Sequence, residues 1–275
     1  MAPRSPSGRH ASGRLVASVP KRRPRLVFVH IPKTAGRTFG TALRREYGTN
    51  YVFLRPGEPG VPIEEFLTWD HDRLAEVQAV GGHYAVGLAH VLPGPSEYVT
   101  ILRDPIERIL SFYSYIQTYA KPEDEVFDLR VGMPLETWLT TSRHGRDLQT
   151  QMIGGHLELP EPADERTLEQ AIGRLDGGVF AAFGVQERFD ESLLHIARTF
   201  GWRRPAYTSI NVNPHRPAVS AVDERTRSMI AAHNQLDLRL YEHVRRRFDE
   251  IIRAEPIRPR WRERLSSSRR AWRHP

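Results

Sequence analysis

Cysteine is absent from this chain of 275 residues, and lysine is scarce. Without cysteine the protein can form neither a disulfide nor a cysteine-ligated metal site. No run approaches the roughly 18 consecutive apolar residues that a membrane-spanning helix needs. Residues 1–25 also contain no apolar stretch of the kind found in secretory signal peptides. These absences predict a soluble, cytoplasmic protein with no transmembrane segment.

The net charge of +7 is unevenly distributed along the chain. Residues 1–25 and 255–275 are strongly basic, whereas residues 26–254 contain more acidic than basic residues. A globular nucleic-acid-binding protein carries its basic face within the fold, so this distribution argues against nucleic acid as a partner. We expect a disordered basic leader at 1–24, one domain at 25–254 and a basic tail at 255–275. The sequence leaves the oligomeric state open.

Short apolar runs alternate with helical patterns throughout the expected domain. This alternation is typical of an α/β fold in which a central parallel sheet is flanked by helices on both faces. The patterns predict strands at 26–29, 51–54, 78–84, 98–102 and 179–185. They predict helices at 39–47, 63–77, from 105 onward, within 135–153 and at 167–175, 189–200 and 223–254.

The first predicted strand leads into the segment Lys33-Thr34-Ala35-Gly36-Arg37-Thr38 and then into a helix. A strand, a tight loop and a helix together present backbone N–H groups and a positive helix end to a phosphate. A Walker A loop has its lysine after the last glycine, whereas Lys33 precedes Gly36. Lys33 is one of only three lysines among 40 basic residues. A lysine at this point indicates a need for a compact point charge, which the fork of an arginine would not supply.

A second motif, YVTILRDPIERILSFYSY from Tyr98 to Tyr115, also joins a strand to a helix. Arg103 ends the strand, and Asp104-Pro105 is a helix-start signal of N-cap followed by N1. Ser111 lies eight residues after Arg103, about two helical turns along, so its hydroxyl can point back toward the strand end. Ligands bind at the carboxyl ends of strands in open α/β sheets, and both motifs follow strands.

Together the two motifs resemble the phosphate-binding segments of the sulfotransferases that use 3′-phosphoadenosine 5′-phosphosulfate (PAPS). They are most similar to the branch that includes the heparan sulfate 2-O-sulfotransferases. The resemblance implies a single-domain, P-loop-like sulfotransferase fold with PAPS as co-substrate and no metal. It implies that the Lys33 ammonium and the loop backbone hold the 5′-phosphosulfate, and that two later residues hold the 3′-phosphate. The implied donor-binding residues are Lys33, Thr34, Ala35, Gly36, Arg37, Thr38, Arg103 and Ser111. Arg37 departs from the family pattern, in which small residues are common at this position.

The implied reaction is in-line transfer of the sulfuryl group from PAPS to a hydroxyl of a small-molecule or glycan acceptor, such as a carbohydrate. Lys33 would offset the charge that develops on the leaving phosphate. His83 is the predicted general base, because in the same branch a Gly-His pair precedes the Arg-Asp-Pro motif at a similar distance. A histidine suits deprotonation of a hydroxyl near neutral pH, and the two glycines before it would let an acceptor approach closely. His90 and His30 are the alternative bases.

Three further stretches resemble parts of the family more weakly. DLQTQM at 147–152 is similar to a helix that borders the acceptor cleft in bacterial members, and VQERFDES at 185–192 is similar to their strand-to-helix turn. Asn211–Arg216 is either a connector or a loop that closes over the nucleotide. Animal members of the branch are typically anchored in the Golgi membrane, and no such anchor is visible here, which favours a bacterial, cytoplasmic member.

Two other functions stay open. A nucleotide-dependent kinase or NTPase with a variant phosphate loop is disfavoured by the position of Lys33. It is also disfavoured by Arg103, which occupies a strand end where magnesium would require an acidic residue. A catalytically inactive sulfotransferase fold that acts as a binding protein is disfavoured by the presence of Lys33, Arg103, Ser111 and His83. No motif identifies the acceptor.

Overall fold

The computed structural model describes residues 24–55, 60–84, 86–126, 128–155, 162–203, 205–210 and 222–256. The expected leader and tail lie outside these ranges except for Pro24, Glu255 and Pro256, so both stay predictions. The segment Asn211–Arg216 also lies outside the described residues.

Five strands form one sheet in the order β2-β3-β1-β4-β5, and every neighbouring pair is parallel. The strands are β1 (Arg25–Val29), β2 (Tyr51–Leu54), β3 (Ala79–Gly82), β4 (Ser96–Leu102) and β5 (Phe180–Val185). All five strands lie where the sequence predicts them, and the α/β class with a central parallel sheet is confirmed. The chain first builds the sheet on one side of β1 and then crosses to the other side. The strand order therefore reverses between β1 and β4, which is the switch point where open α/β sheets bind ligands.

Ten α-helices are found in the described ranges. They are α1 (Gly36–Tyr47), α2 (Ile63–Phe66), α3 (His71–Glu76), α4 (Pro105–Tyr119), α5 (Leu135–Thr141), α6 (Leu148–Gly154), α7 (Glu165–Asp176), α8 (Phe189–Thr199), α9 (Glu224–Ala232) and α10 (Gln235–Ala254). Short 3₁₀ turns occur at Gly48–Asn50, Leu88–His90, Arg143–Gly145 and Gln186–Arg188.

Helices cover both faces of the sheet. Successive side chains of a strand point to opposite faces, and β1 supplies both cores accordingly. Val27 and Val29 join the core formed with α6, α7 and α10. Leu26 and Phe28 join the core formed with α1 and α8. A smaller cluster, which includes the stacked rings of Phe112 and Trp138, packs α4 against α5 and α9.

The single helix predicted at 63–77 is wrong, because the structure has two short helices there. Asp70 interrupts the pattern with an extended backbone, and its side chain accepts a hydrogen bond from the Arg73 N–H at 2.8 Å. An aspartate in this geometry is an N-cap that begins a new helix. The apolar spacing across 63–77 did not reveal this local alternative.

The single helix predicted at 223–254 is also wrong, since α9 ends at Ala232 and α10 begins at Gln235. Asn234 is fully buried between them. Its side-chain amide donates to the carbonyls of Ile230, at 3.0 Å, and of Gly145, at 3.2 Å. The tertiary contact with Gly145 therefore accompanies the helix break. Within α10 the apolar residues at four-residue spacing face the core: Leu240, Val244, Phe248 and Ile252 are buried, and Leu236 is partly buried.

Candidate active site

The loop after β1 makes a tight turn at Lys33 and Ala35. Both residues have positive φ angles, of 71° and 66°, which are uncommon for residues with a side chain. Thr34 is buried between them, and its hydroxyl donates to the Ile31 carbonyl at 2.9 Å. Helix α1 begins at Gly36, three residues earlier than predicted. The amino end of the helix, where N–H groups lack helical partners, therefore lies within the predicted phosphate loop.

Gly36 is required by the packing of His30 against the loop. A Cβ atom on residue 36 would lie 1.8 Å from His30 Cδ2 and 1.9 Å from His30 Nε2. The His30 ring is buried, and its Nδ1 has no hydrogen-bond partner among the described residues. Burial holds the pKa of His30 well below its usual value, and the charges of His83, Arg37 and Lys33 lower it further. The His30 ring is therefore neutral and packs directly against the loop at Gly36.

Arg103 joins the two predicted motifs directly. Its Nη1 donates to the Lys33 carbonyl at 3.0 Å, and its Nη2 donates to Glu107 Oε2 at 3.0 Å. Asp104 caps α4 as predicted, since its carboxylate accepts from the Glu107 N–H at 2.9 Å. The mostly buried guanidinium of Arg103 thus lies beside the loop, across the switch point between β1 and β4.

Lys33 extends along α4 toward the side on which Ser111 lies. Its Nζ is 4.0 Å from the centroid of the Tyr115 ring, a cation–π contact. Tyr115 lies four residues after Ser111, so the two side chains share one face of the helix. Ser111 is half-buried on this face. The structure therefore brings the predicted lysine and arginine together, and Ser111 lies on the face of α4 that Lys33 contacts.

His83 follows β3 and lies beside His30. Its Nδ1 is 2.7 Å from the His30 carbonyl oxygen, and the two rings are 4.2 Å apart between centroids. A carbonyl only accepts hydrogen bonds, so Nδ1 is the protonated nitrogen and Nε2 carries the basic lone pair. Burial lowers the pKa of His83, the hydrogen bond to His30 opposes this effect, and the charge of Arg55 adds to the lowering. These effects favour the neutral form of His83, with its proton on Nδ1.

The two glycines before His83 have a different role from the one that the sequence suggests. Gly81 and Gly82 lie within buried β3, where a Cβ on residue 82 would be 2.8 Å from the Leu54 carbonyl oxygen. A Cβ on residue 81 would be 3.2 Å from the Phe28 ring. The expectation that these glycines admit an acceptor is therefore wrong, because they make room for neighbouring strands.

The remaining predicted residues are partly buried in structural contacts and partly exposed. Thr38 is buried, and its hydroxyl is 3.2 Å from the Ile210 N–H, which donates to it. Its side chain therefore holds the segment 205–210 against α1. Arg37 is exposed on the first turn of α1. Of the alternative bases, His30 is packed beneath the loop and His90 is exposed at the end of a 3₁₀ turn.

Sequence reasoning missed three side chains around this region. Tyr115 contacts Lys33, while Gln149 and Glu187 bond to the backbone of Arg103 and Asp104. All three lie within stretches that resemble the family, but none occupies a position with a recognisable chemical role. The pairing of Arg103 with Glu107 had a signal in the sequence, since the two residues are four apart on a helix.

Comparison with known proteins agrees with this geometry. The family model described as galactose-3-O-sulfotransferase matches residues 83–274, and the model described as sulfotransferase family matches residues 18–146. The chain belongs to the galactose-3-O-sulfotransferase family. The second model spans the loop at Lys33 and the motif at Arg103, so the predicted sulfotransferase membership is confirmed.

Curated sulfotransferases are similar to this chain at low sequence identity. Human galactose-3-O-sulfotransferase 2 is 28% identical over 192 residues, which are 66% of this chain and 47% of the relative. Bovine galactose-3-O-sulfotransferase 3 is 26% identical over 170 residues, 58% of this chain and 40% of the relative. Heparan-sulfate 6-O-sulfotransferase 1 of Cricetulus griseus is 27% identical over 274 residues, 82% of this chain and 67% of the relative. The chain spans less than half the length of these two galactose-3-O-sulfotransferases.

Among solved structures, mouse sulfotransferase SULT7A1 complexed with PAP is similar with a TM-score of 0.37 and 15% identity. The match covers 77% of this chain and 64% of that chain.

No helix in the described ranges is both long and apolar enough to span a membrane. Within the same ranges, no group of three or more histidines and acidic residues is arranged to hold a metal ion. A cytoplasmic location stays a prediction.

Proposed function

We propose that this protein transfers the sulfuryl group of PAPS to a hydroxyl group of a carbohydrate acceptor. The hydrogen bond from Arg103 to the Lys33 carbonyl carries the proposal, because it unites two phosphate-binding motifs that are 70 residues apart. His83 lies at the end of β3, the neighbour of β1 on its other side. The ends of the adjacent strands β3, β1 and β4 therefore supply the proposed base His83 and the two cations Lys33 and Arg103, respectively.

The donor would lie across the switch point between β1 and β4. Backbone N–H groups from Thr34 to Thr38 and the Lys33 ammonium would hold the 5′-phosphosulfate. Arg103 and Ser111 would hold the 3′-phosphate. Donors held in a fixed loop would stabilise developing charge without reorganisation during the reaction, and the tight turn made by the positive φ angles of Lys33 and Ala35 supports this assignment.

His83 Nε2 would take the proton from the acceptor hydroxyl while the hydroxyl oxygen attacks sulfur. The new sulfur–oxygen bond forms as the bond from sulfur to the bridging phosphate oxygen breaks. The products are a sulfate ester and 3′,5′-adenosine bisphosphate, and the Lys33 ammonium offsets the charge left on the phosphate. The hydrogen bond from His83 Nδ1 to the His30 carbonyl keeps Nε2 as the basic nitrogen.

The carbohydrate class of the acceptor is supported by the relatives, whose names specify galactose and heparan sulfate. The names specify different oxygens, 3-O and 6-O, so we propose no single hydroxyl. A panel of galactose-terminated and glucosamine-containing oligosaccharides, with labelled PAPS as donor, would identify the sugar.

Calorimetric titration tests the donor before any acceptor is known. The chain should bind 3′,5′-adenosine bisphosphate with magnesium chelated and should not bind ATP under the same conditions. Lys33→Ala should weaken bisphosphate binding, whereas Lys121→Ala, which removes an exposed lysine elsewhere, should not. Binding of ATP only with magnesium, and no binding of the bisphosphate, would replace this proposal with a kinase or NTPase.

A further inference from the structure

The corner between β4 and α4 is held in place by a buried side chain from another helix. Gln149 of α6 is fully buried, and its Oε1 accepts from the Arg103 backbone N–H at 3.0 Å. Its Nε2 donates to the Arg103 carbonyl at 2.9 Å. One side chain thus pairs both backbone groups of Arg103, across 46 residues of sequence. Two such bonds fix the peptide planes on either side of the Arg103 Cα, and therefore the direction in which its side chain leaves the chain.

Helix α6 is itself fixed by a buried carboxylate. Asp237, in the first turn of α10, accepts from the Gln149 N–H at 3.2 Å and from the Thr150 N–H at 2.7 Å. It also accepts from the Thr150 hydroxyl at 2.9 Å. The backbone of Gln149 is therefore tied to α10 at the same point where its side chain is tied to Arg103. A shift of the Arg103 corner would have to break this chain of buried hydrogen bonds.

A second, more exposed contact acts on the next residue. The Asp104 N–H donates to Glu187 Oε1 at 3.0 Å, and the other oxygen of Glu187 accepts from the Tyr241 hydroxyl at 2.8 Å. Glu187 is exposed, so water competes for these bonds and they contribute less than the buried pair from Gln149. Both contacts act on the two residues that end β4 and begin α4.

We propose that Gln149, assisted by Glu187, is a positioning residue that sets how well Arg103 recognises the 3′-phosphate of the donor. This inference rests on the proposed function, in which Arg103 binds that phosphate. It gives the stretches 147–152 and 185–192 a role on the donor side, whereas their resemblance suggests an acceptor-cleft helix and a plain turn. Neither side chain needs to touch the donor, because each acts through the backbone of the Arg103 corner.

The test compares two ligands that differ only in the 3′-phosphate, 3′,5′-adenosine bisphosphate and adenosine 5′-monophosphate. Gln149→Leu removes both hydrogen bonds, and Gln149→Glu keeps an acceptor for the Arg103 N–H but sets a carboxylate oxygen against the Arg103 carbonyl. Each variant should lower the affinity ratio of bisphosphate to monophosphate by about tenfold, because a misplaced Arg103 weakens its one polar contact with the 3′-phosphate. Affinity for the monophosphate should stay within about twofold of the wild type.

Trp202→Phe is a control for the loss of a hydrogen bond away from the Arg103 corner. Trp202 is buried, and its Nε1 donates to the hydroxyl of Tyr47, the last residue of α1, at 3.1 Å. This variant should lose stability and keep the affinity ratio. If the Gln149 variants do not fold, Glu187→Ala at the exposed contact provides the test, with a smaller fall in the ratio.

The outcomes separate the two proposals. A wild-type protein that shows no preference for the bisphosphate contradicts the proposed function. A wild-type preference that the Gln149 variants retain unchanged, or equal weakening of both ligands, contradicts the positioning role. If neither Gln149 variant folds, an unchanged affinity ratio in Glu187→Ala likewise contradicts the positioning role.

Discussion

Replacing Gly36 with alanine tests whether the loop needs the shape seen here. The added Cβ would lie 1.8 Å from His30 Cδ2, whereas ordinary contact between carbon atoms begins at about 3.4 Å. Either the ring or the loop must move by roughly 1.6 Å. The His30 ring is buried, stacks on Phe28 at 5.3 Å between centroids and contacts the tilted ring of His83 at 4.2 Å, so its space to move is small.

We therefore expect the loop to take most of the displacement. Overpacking of a buried site costs about 1–3 kcal/mol of folding free energy. For a domain of this size that lowers the melting temperature by about 2–4 °C for each kcal/mol lost. The effect on function should be larger, because a misplacement of about 1 Å in a positioned group can cost a hundredfold in rate. Gly36→Ala should bind the bisphosphate at least tenfold more weakly than the wild type.

A second substitution shows whether the clash is the cause. His30→Ala removes the ring that the new Cβ would meet, at the cost of a cavity beneath the loop. The double variant Gly36→Ala/His30→Ala should bind the bisphosphate more tightly than Gly36→Ala alone, although it will be less stable than the wild type. Binding is the correct measurement here, because the His30 ring also contacts the His83 ring, and the loss of that contact would affect turnover separately.

Two results would refute this reasoning. Wild-type bisphosphate affinity in Gly36→Ala would show that the loop tolerates the added atom or does not bind the phosphate. Equal affinity of the single and double variants would show that the loss does not arise from contact with His30.

The remaining predictions concern three side chains around and beyond the site. His83→Ala should lower turnover by about 10²–10⁴-fold with bisphosphate affinity nearly unchanged, and a large loss of affinity would make His83 a donor-site residue. Because the unprotonated form of His83 is the base and burial lowers its pKa, its NMR titration in the donor-free protein should have a midpoint below 6.5, and a midpoint above 6.5 would contradict this. Tyr115→Leu should lower kcat/KM for the donor by about two- to thirtyfold through loss of the cation–π contact with Lys33, whereas Tyr115→Phe should not, and equal effects of both would argue against that contact. Burial lowers the pKa of His195 to about 4, so the unfolded state takes up its proton first as the pH falls from about 6.5, and the protein should lose about 3 kcal/mol of stability by pH 4. Denaturant unfolding should show a correspondingly smaller loss in His195→Gln, and an identical pH dependence would refute this.

Local pattern was sufficient for the strands and for the cap at Asp104. The five strands are short, mostly apolar runs, and four of them are buried along most of their length, whereas alternate residues of β2 are only partly buried. Asp104-Pro105 carries its own stereochemistry, since the carboxylate reaches the Glu107 N–H and proline fits the first helical position. Such features depend on neighbours within a few residues, which a sequence displays directly.

Local pattern failed where a distant partner decides the structure. A single helix is predicted through 223–254, but the helix breaks at Asn234, whose amide reaches Gly145 across 89 residues of sequence. The sequence places Gly36 in a loop, but it does not show why glycine is needed there, which is that a Cβ atom would clash with the His30 ring. Gln149 is an ordinary polar residue in a helical stretch, and its role depends on meeting Arg103.

The site depends most on strand order, which the sequence did not supply. Neighbouring strands lie about 4.8 Å apart, so the ends of β1 and β4 are separated by one such step. An arginine side chain spans this step, and Arg103 accordingly reaches the Lys33 carbonyl. With one more strand between them, the two motifs would be about 10 Å apart, and one adenosine donor would need longer side chains to contact both. The resemblance predicts which residues act, but the crossing of the chain from one side of β1 to the other makes them a single site.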